Sequence, residues 1–202
     1  GLTTGYGGTH QANEDLALMR AMPNVTVIDP CDATEMEQVA QMAADIPGTV
    51  YCRLLRANVA QVLDPETYRF QVGKGHVIGN GNKLGFVSTG FMTERALDAS
   101  RHFERNGVSS AVFHSPCIKP FDAEGLVRFA RSVERLVVCE NHITTGGLAT
   151  LVVETLYDAG LAPKILKIGI PDQFIECGSL TYLQDRYGLT TERIIERTDA
   201  WL

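Results

Sequence analysis

Apolar and polar positions alternate along this chain in two registers, and the registers switch several times. Leu16, Met19 and Arg20 recur at three- and four-residue spacing, which predicts a helix from Asp15 to Met22. After the Pro23-Asn24 turn comes Val25-Thr26-Val27-Ile28, a short β-branched run closed by Asp29-Pro30, and so a buried strand. Asp32 with Glu35 three residues on makes a capping box for a helix to Ala44, ended by Pro47-Gly48. Thr49 to Leu55 reads as the next strand.

The run from Ala57 to Pro65 has the composition of a linker. Tyr68 to Ile78 alternates, Phe70 and Val72 against Gln71 and Gly73, which predicts a β-hairpin around Gly73-Lys74-Gly75. Gly79-Asn80-Gly81-Asn82 is a sharp turn. A second series then follows: strands at Leu84–Ser88, Ser110–His114, Arg135–Glu140 and Lys164–Ile170, and helices at Thr93–Asn106, Asp122–Val133 and Gly147–Ala159. Two short helices, Ser179–Tyr187 and Thr191–Arg197, end the chain. Strand runs apolar on both faces, alternating with amphipathic helices, predict an α/β fold with mostly parallel sheet covered by helices. The expected units are residues 1–57, a linker and hairpin over 58–78, and residues 79–202.

Composition narrows the function classes. A net charge of −6 on 202 residues argues against nucleic acid or an anionic membrane as partner. No apolar run approaches the roughly 18 residues of a membrane span, and no signal peptide is visible. Cys31, Cys52, Cys117, Cys139 and Cys177 are odd in number and widely spaced, as expected of reduced, mostly buried thiols in a cytoplasmic protein. The first residue is Gly1 in what reads as a loop, so a front part is expected to be cut or missing.

Candidate chemistry begins at Gly7-Gly8-Thr9-His10-Gln11. Two glycines let backbone approach a ligand, a helix start nearby favours anions, and a histidine can exchange a proton near neutral pH. On these five residues alone, a tight turn with a capping or packing histidine is the stronger reading. Arg56 falls just past a predicted strand end, where ligands gather in parallel sheets, and is placed to grip a phosphate or carboxylate; on spacing alone an exposed surface arginine is the slightly stronger reading. His142 beside Glu140 reads as a structural or interface residue. Gly146-Gly147 ahead of a helix could seat an anion but reads as a structural turn. His76, His102 and His114 are scattered without ligand spacing, and no metal site is expected.

Three stretches taken in order go further. They are Gly1-Leu2-Thr3 to Gly7-Gly8-Thr9-His10-Gln11 with Glu14 to Val27 behind it; Ile118-Lys119-Pro120-Phe121-Asp122; and Val138-Cys139-Glu140-Asn141-His142 with Gly146-Gly147, Ile168-Gly169-Ile170-Pro171-Asp172-Gln173-Phe174 and Gly178. Over nearly the whole chain they resemble the carboxyl-terminal half of transketolases and of 1-deoxyxylulose-5-phosphate synthases. The ending Tyr187-Gly188-Leu189-Thr190-Thr191-Glu192-Arg193-Ile194 looks most like the β subunit of split transketolases.

The resemblance implies the end of a thiamine-diphosphate pyrimidine-binding α/β domain, followed by a transketolase carboxyl-terminal domain that mainly supports a dimer. It implies transfer of a two-carbon ketol unit between sugar phosphates, with thiamine diphosphate and Mg²⁺ in the complete complex. His10 matches the family histidine over the thiazolium, and Arg56 the arginine that holds the sugar phosphate. Tyr6 stands where the family usually has Asp, which puts the sugar's identity in doubt. The family glutamate and the stacking aromatics for the aminopyrimidine lie upstream of residue 1, and the diphosphate and Mg²⁺ site lies on a partner chain. The fragment alone is therefore expected to bind no cofactor and to need an amino-terminal subunit, in a homodimer or heterotetramer. A synthase-like enzyme, the β subunit of a 2-oxoacid dehydrogenase and a non-catalytic assembly module are the competing readings.

Overall fold

The computed structural model describes residues 1–3, 5–56 and 58–202; Ala57, where the first unit was expected to end, lies outside them. The first unit holds α1 (Asp15–Ala21), β1 (Val25–Ile28), α2 (Ala33–Met42) and β2 (Thr49–Cys52). The second holds β3 (His76–Ile78), β4 (Leu84–Ser88), α3 (Met92–Arg105), β5 (Ser110–His114), β6 (Cys117–Lys119), α4 (Ala123–Ser132), β7 (Arg135–Ile143), α5 (Leu148–Asp158), β8 (Lys164–Ile170), α6 (Leu180–Arg186) and α7 (Thr191–Asp199). No helix among the described residues is long and apolar enough to cross a membrane.

Two sheets result. In the larger, ordered β3-β5-β4-β7-β8, the last four strands run parallel and β3 pairs antiparallel with β5. β4 and β5 are buried along their whole length, as a strand covered by helices on both faces must be. In the smaller, ordered β2-β1-β6, β1 and β2 are parallel and β6 runs antiparallel to β1. β6 follows β5 in sequence, so the second unit lends a strand to the first unit's sheet. Three residues, Cys117-Ile118-Lys119, are too few to carry a period, and sequence patterning did not show this strand.

Two expectations are corrected. Tyr68 to Ile78 forms no hairpin: only His76–Ile78 is a strand, and its partner is β5. Gln38 on α2 takes the place of a pairing strand. Its side-chain carbonyl accepts the Phe70 N–H at 2.7 Å and its amide donates to the Tyr68 carbonyl at 3.2 Å. Tyr68 and Phe70 are thereby buried against Ile28, Val39 and Cys117. The strand expected over Thr49–Leu55 stops at Cys52, since its partner β1 stops at Ile28 and Pro30 offers no N–H.

The capping signal at α2 holds, with a different partner at one end. Asp32 accepts the Glu35 N–H at 3.0 Å, and its other oxygen takes the N–H groups of Val62 and Leu63, both at 2.8 Å, which fastens the linker to the helix. Glu35 reaches past Asp32 to the Cys31 N–H at 2.8 Å. From there it crosses to the second unit, where His114 Nε2 lies 3.0 Å from both carboxylate oxygens.

Candidate functional site

A cleft of about 250 Å³ opens where the two units meet, beside the carboxyl ends of β1 and β2. It is a little smaller than the roughly 300–1,000 Å³ of sites for drug-sized ligands, which suits a small metabolite. His10, Asp15, Asp29, Arg53, Arg56 and Asn141 contribute its polar lining.

His10 ends a single 3₁₀ turn, Gly8–His10, entered through Gly7 at φ 75°. Gly7 has no room for a side chain: a Cβ there would lie 2.5 Å from Cys177 Sγ. The imidazole is exposed, with Nδ1 2.8 Å from Thr9 Oγ1 and the ring 5.3 Å from that of Tyr6. Nδ1 is thus engaged by a neighbour and Nε2 is the nitrogen available to a ligand. Arg56 is exposed too. Its backbone N–H donates to Thr3 Oγ1 at 2.6 Å, while its guanidinium has no hydrogen bond or ion pair with any described residue. The two residues singled out by sequence therefore line one cleft.

Beneath them lies a charge cluster that sequence reading passed over. Arg53, 10% exposed at its side chain, binds Asp15 through Nε at 2.9 Å and Nη2 at 2.5 Å. Its Nη1 donates to the Asn141 carbonyl at 2.9 Å and stands 3.6 Å from Asp29. Burial alone would raise the Asp15 pKa; the Arg53 charge and its hydrogen bonds outweigh burial and hold it at about 2. Asp29 moves the other way, because burial prevails over the pull of Arg53. The signal in the sequence was a lone arginine inside an apolar strand run, which a buried site tolerates only with partners.

The other candidates lie elsewhere. His142 is fully buried, its Nδ1 bonded to the Ile143 carbonyl at 2.6 Å and its Nε2 facing the Ala17 N–H at 3.3 Å. The anion seat ahead of α5 is filled by the chain's own Glu140, which accepts the N–H groups of Leu148 at 2.6 Å and Ala149 at 3.0 Å. Burial raises Glu140 to about 7 against those bonds, and burial with the nearby Arg53 charge lowers His142 to about 4. At 3.7 Å the two therefore meet as neutral groups over that interval, not as an ion pair.

His114 sits within 4.8 Å of ligand atoms of Cys31 and Glu35, all buried, the grouping among the described residues that could hold a metal. Hydrogen bonds already use it. Glu35 takes Tyr68 O–H, His114 Nε2–H and the Cys31 N–H, and His114 Nδ1 meets Thr93 Oγ1 at 2.8 Å. Burial also pushes the Cys31 thiol strongly up, away from the thiolate a metal needs.

Comparison with known proteins agrees with this anatomy. Residues 2–61 match the family model "Transketolase, pyrimidine binding domain" and residues 73–194 match "Transketolase, C-terminal domain". A transketolase family protein of Sinorhizobium fredii is 46% identical over 204 residues, covering 100% of this chain and 59% of that one. A 1-deoxy-D-xylulose-5-phosphate synthase of Methylacidiphilum infernorum is 34% identical, covering 98% of this chain and 32% of its own length. Among solved structures, a split-gene transketolase described as an inactive β4 tetramer superposes with a TM-score of 0.90 at 38% identity, covering 96% of this chain and 63% of that one. The chain thus spans less than two thirds of the length of each of these relatives.

Proposed function

The chain belongs to the transketolase family, and on that premise we propose that it carries the sugar-facing part of a thiamine-diphosphate-dependent transketolase. The reaction would be transfer of a two-carbon ketol unit from a ketose phosphate to an aldose phosphate. The observation that carries this reading is the convergence of His10 and Arg56, distant in sequence, on one cleft.

The cleft's donor set fits one end of such a reaction and not the other. Arg56 offers an uncommitted guanidinium, suited to bidentate binding of a phosphate. His10 offers Nε2 as a hydrogen-bond partner or proton carrier at a substrate oxygen. Asp15 is spent on Arg53 and Tyr51, which leaves Asp29 as the one uncommitted carboxylate of the cleft among the described residues, fewer than a diphosphate-bound Mg²⁺ calls for. Thiamine diphosphate and Mg²⁺ are therefore assigned to the rest of the assembly, with an amino-terminal subunit as partner. This chain's own work is to bind the sugar phosphate, orient it and manage a proton at its oxygens. The inactive β4 tetramer formed by the split-gene relative supports assembly without catalysis for this portion alone. The likeness to a 1-deoxy-D-xylulose-5-phosphate synthase keeps that reaction as the second to assay.

The test is turnover by the complete complex. His10→Ala should lower kcat by about 10²–10⁴-fold with assembly intact. Arg56→Gln should raise KM for phosphorylated sugars and leave unphosphorylated ones little changed. Full turnover by His10→Ala would falsify the role given to His10 and favour a non-catalytic assembly module.

A further inference from the structure

One charged side chain of the cleft has no task in the reading above. Asp29 directly follows β1, at the carboxyl end of a parallel strand, and shares the cleft with His10 and Arg56. Its backbone is fixed on both sides: the N–H donates to the Pro116 carbonyl at 2.8 Å and the carbonyl accepts the Gly90 N–H at 3.0 Å. Gly90 leaves the space the carboxylate occupies, since a Cβ there would lie 2.4 Å from Asp29 Oδ2. The side chain is only 8% exposed.

The carboxylate nevertheless accepts no hydrogen bond from any described residue. Its nearest cation, Arg53 Nη1, stands at 3.6 Å, and that guanidinium is committed to Asp15 and to the Asn141 carbonyl. Neither oxygen is among the buried polar atoms left without a partner, so what remains open of the carboxylate faces the cleft, where a ligand group can reach it. The surroundings select that group. Asp15 and Arg53 neutralise one another, which leaves Arg56 to face the anionic end of a ligand and Asp29 to accept from a donor on it. On a sugar phosphate the donors away from the phosphate are neutral hydroxyls.

We propose that Asp29 is a substrate-binding residue that hydrogen-bonds one hydroxyl of the bound sugar chain, on the cleft wall away from the phosphate held by Arg56, and so sets which sugars are accepted. The proposal rests on the cleft being the sugar-phosphate site.

The experiment uses the full-length protein with its amino-terminal partner. A ketose phosphate that supports turnover is compared with its monodeoxy analogues for Asp29→Asn, Asp29→Ala, His10→Ala and Arg56→Gln, with the thermal midpoint of each variant recorded. Asp29→Ala is expected to lower kcat/KM for the parent sugar by about ten- to a hundredfold and to abolish discrimination against one deoxy analogue. Inhibition by inorganic phosphate should stay at the wild-type level. Asp29→Asn, nearly isosteric and still able to accept a hydrogen bond, should keep part of the discrimination and provides the reading if the alanine variant does not fold. Unchanged discrimination in a folded Asp29 variant, or a shift confined to the thermal midpoint, overturns the proposal. If His10→Ala and Arg56→Gln meanwhile lose turnover, the cleft reading survives that failure; if they also behave as wild type, the cleft reading falls with it.

Discussion

Replacing Arg53 with Met should destabilise the chain by about 3–5 kcal/mol at pH 7, the usual result of removing one partner from a buried ion pair. The structure gives a lower bound by a separate route. Asp15 is held at about 2 against an ordinary 3.8, close to two units. At 1.36 kcal/mol per unit that is about 2–3 kcal/mol of differential stabilisation, and the bonds to the Asn141 and Ala12 carbonyls are lost besides. For a domain of this size each kcal/mol moves Tm by about 2–4 °C, so calorimetry should show a fall of about 6–20 °C. The pH dependence discriminates further. The Asp15 pKa is depressed on folding, so its stabilisation is whole above about pH 4 and drains away as pH falls toward 2. Asp29 is shifted upward, so protonation relieves the folded state, and more so once the arginine is gone. The gap between wild type and Arg53→Met should therefore narrow as pH falls from 7 to below 4. A gap under about 1 kcal/mol at pH 7, or one constant across that range, refutes the assignment of Arg53 as the counter-charge of this cluster.

Three further substitutions probe the packing around the two units. Gly147→Ala sets a Cβ 2.1 Å from Glu140 Oε2 and 2.6 Å from His142 Nδ1; a loss of about 1–3 kcal/mol is expected in denaturant titration, and an unchanged midpoint would show that α5 tilts freely. Glu140→Gln tests the raised carboxyl: from an ordinary 4.5 to about 7, Glu140 adds stability that is full below pH 4.5 and lost as pH rises through 7. Wild type should thus gain about 3 kcal/mol over the variant between pH 8 and pH 4.5, while His142, common to both, cancels; parallel stability curves would contradict this. His114→Ala strips the buried Glu35 carboxylate of a partner and should cost about 3–5 kcal/mol. Hydrogen exchange should quicken in α2 as well as in β5, because the pair joins the two units; quickening in β5 alone would deny that joint.

Local rules carried the reading as far as local rules reach. Strands β4, β5, β7 and β8 and the helices between them are regular in apolar period, and the caps at Asp32 and Asp122 bond the N–H groups three residues on, as the spacing required. What failed was non-local. Tyr68 to Val72 has the alternation of a strand, yet its Phe70 N–H and Tyr68 carbonyl bond the side chain of Gln38. Nothing in the sequence around either segment announces that pairing. The site divides along the same line. His10 and Arg56 stood out because glycines, a strand end and a family pattern flank them. Arg53 and Asp29 lie within or beside strands, and their meaning depends on which charges the fold brings beneath the cleft. Gly146-Gly147 read as a structural turn and is one; that Glu140, eight and nine residues from the amides of Leu148 and Ala149, would take those N–H groups was not legible.

The second unit does more than lie beside the cleft. The Asn141 side chain on β7 accepts the Leu2 N–H at 2.8 Å and donates to the Leu2 carbonyl at 2.9 Å, so it fixes the start of the segment that leads to His10. Gln11 returns the tie by accepting the Thr3 N–H at 2.9 Å. The Asn141 carbonyl also takes Arg53, whose other bonds set Asp15 at the head of α1. On the far side of the 3₁₀ turn, Gly7 packs on Cys177 and Gly5 on Gly178 of the second unit, each too close for a side chain. The loop bearing His10 is therefore clamped from both flanks by residues of the second unit. A cleft built this way keeps its geometry only while the two units stay docked. That is a physical reason for β6 crossing between the sheets and for the Glu35–His114 bond being buried at the joint: both resist the sliding that would part His10 from Arg56.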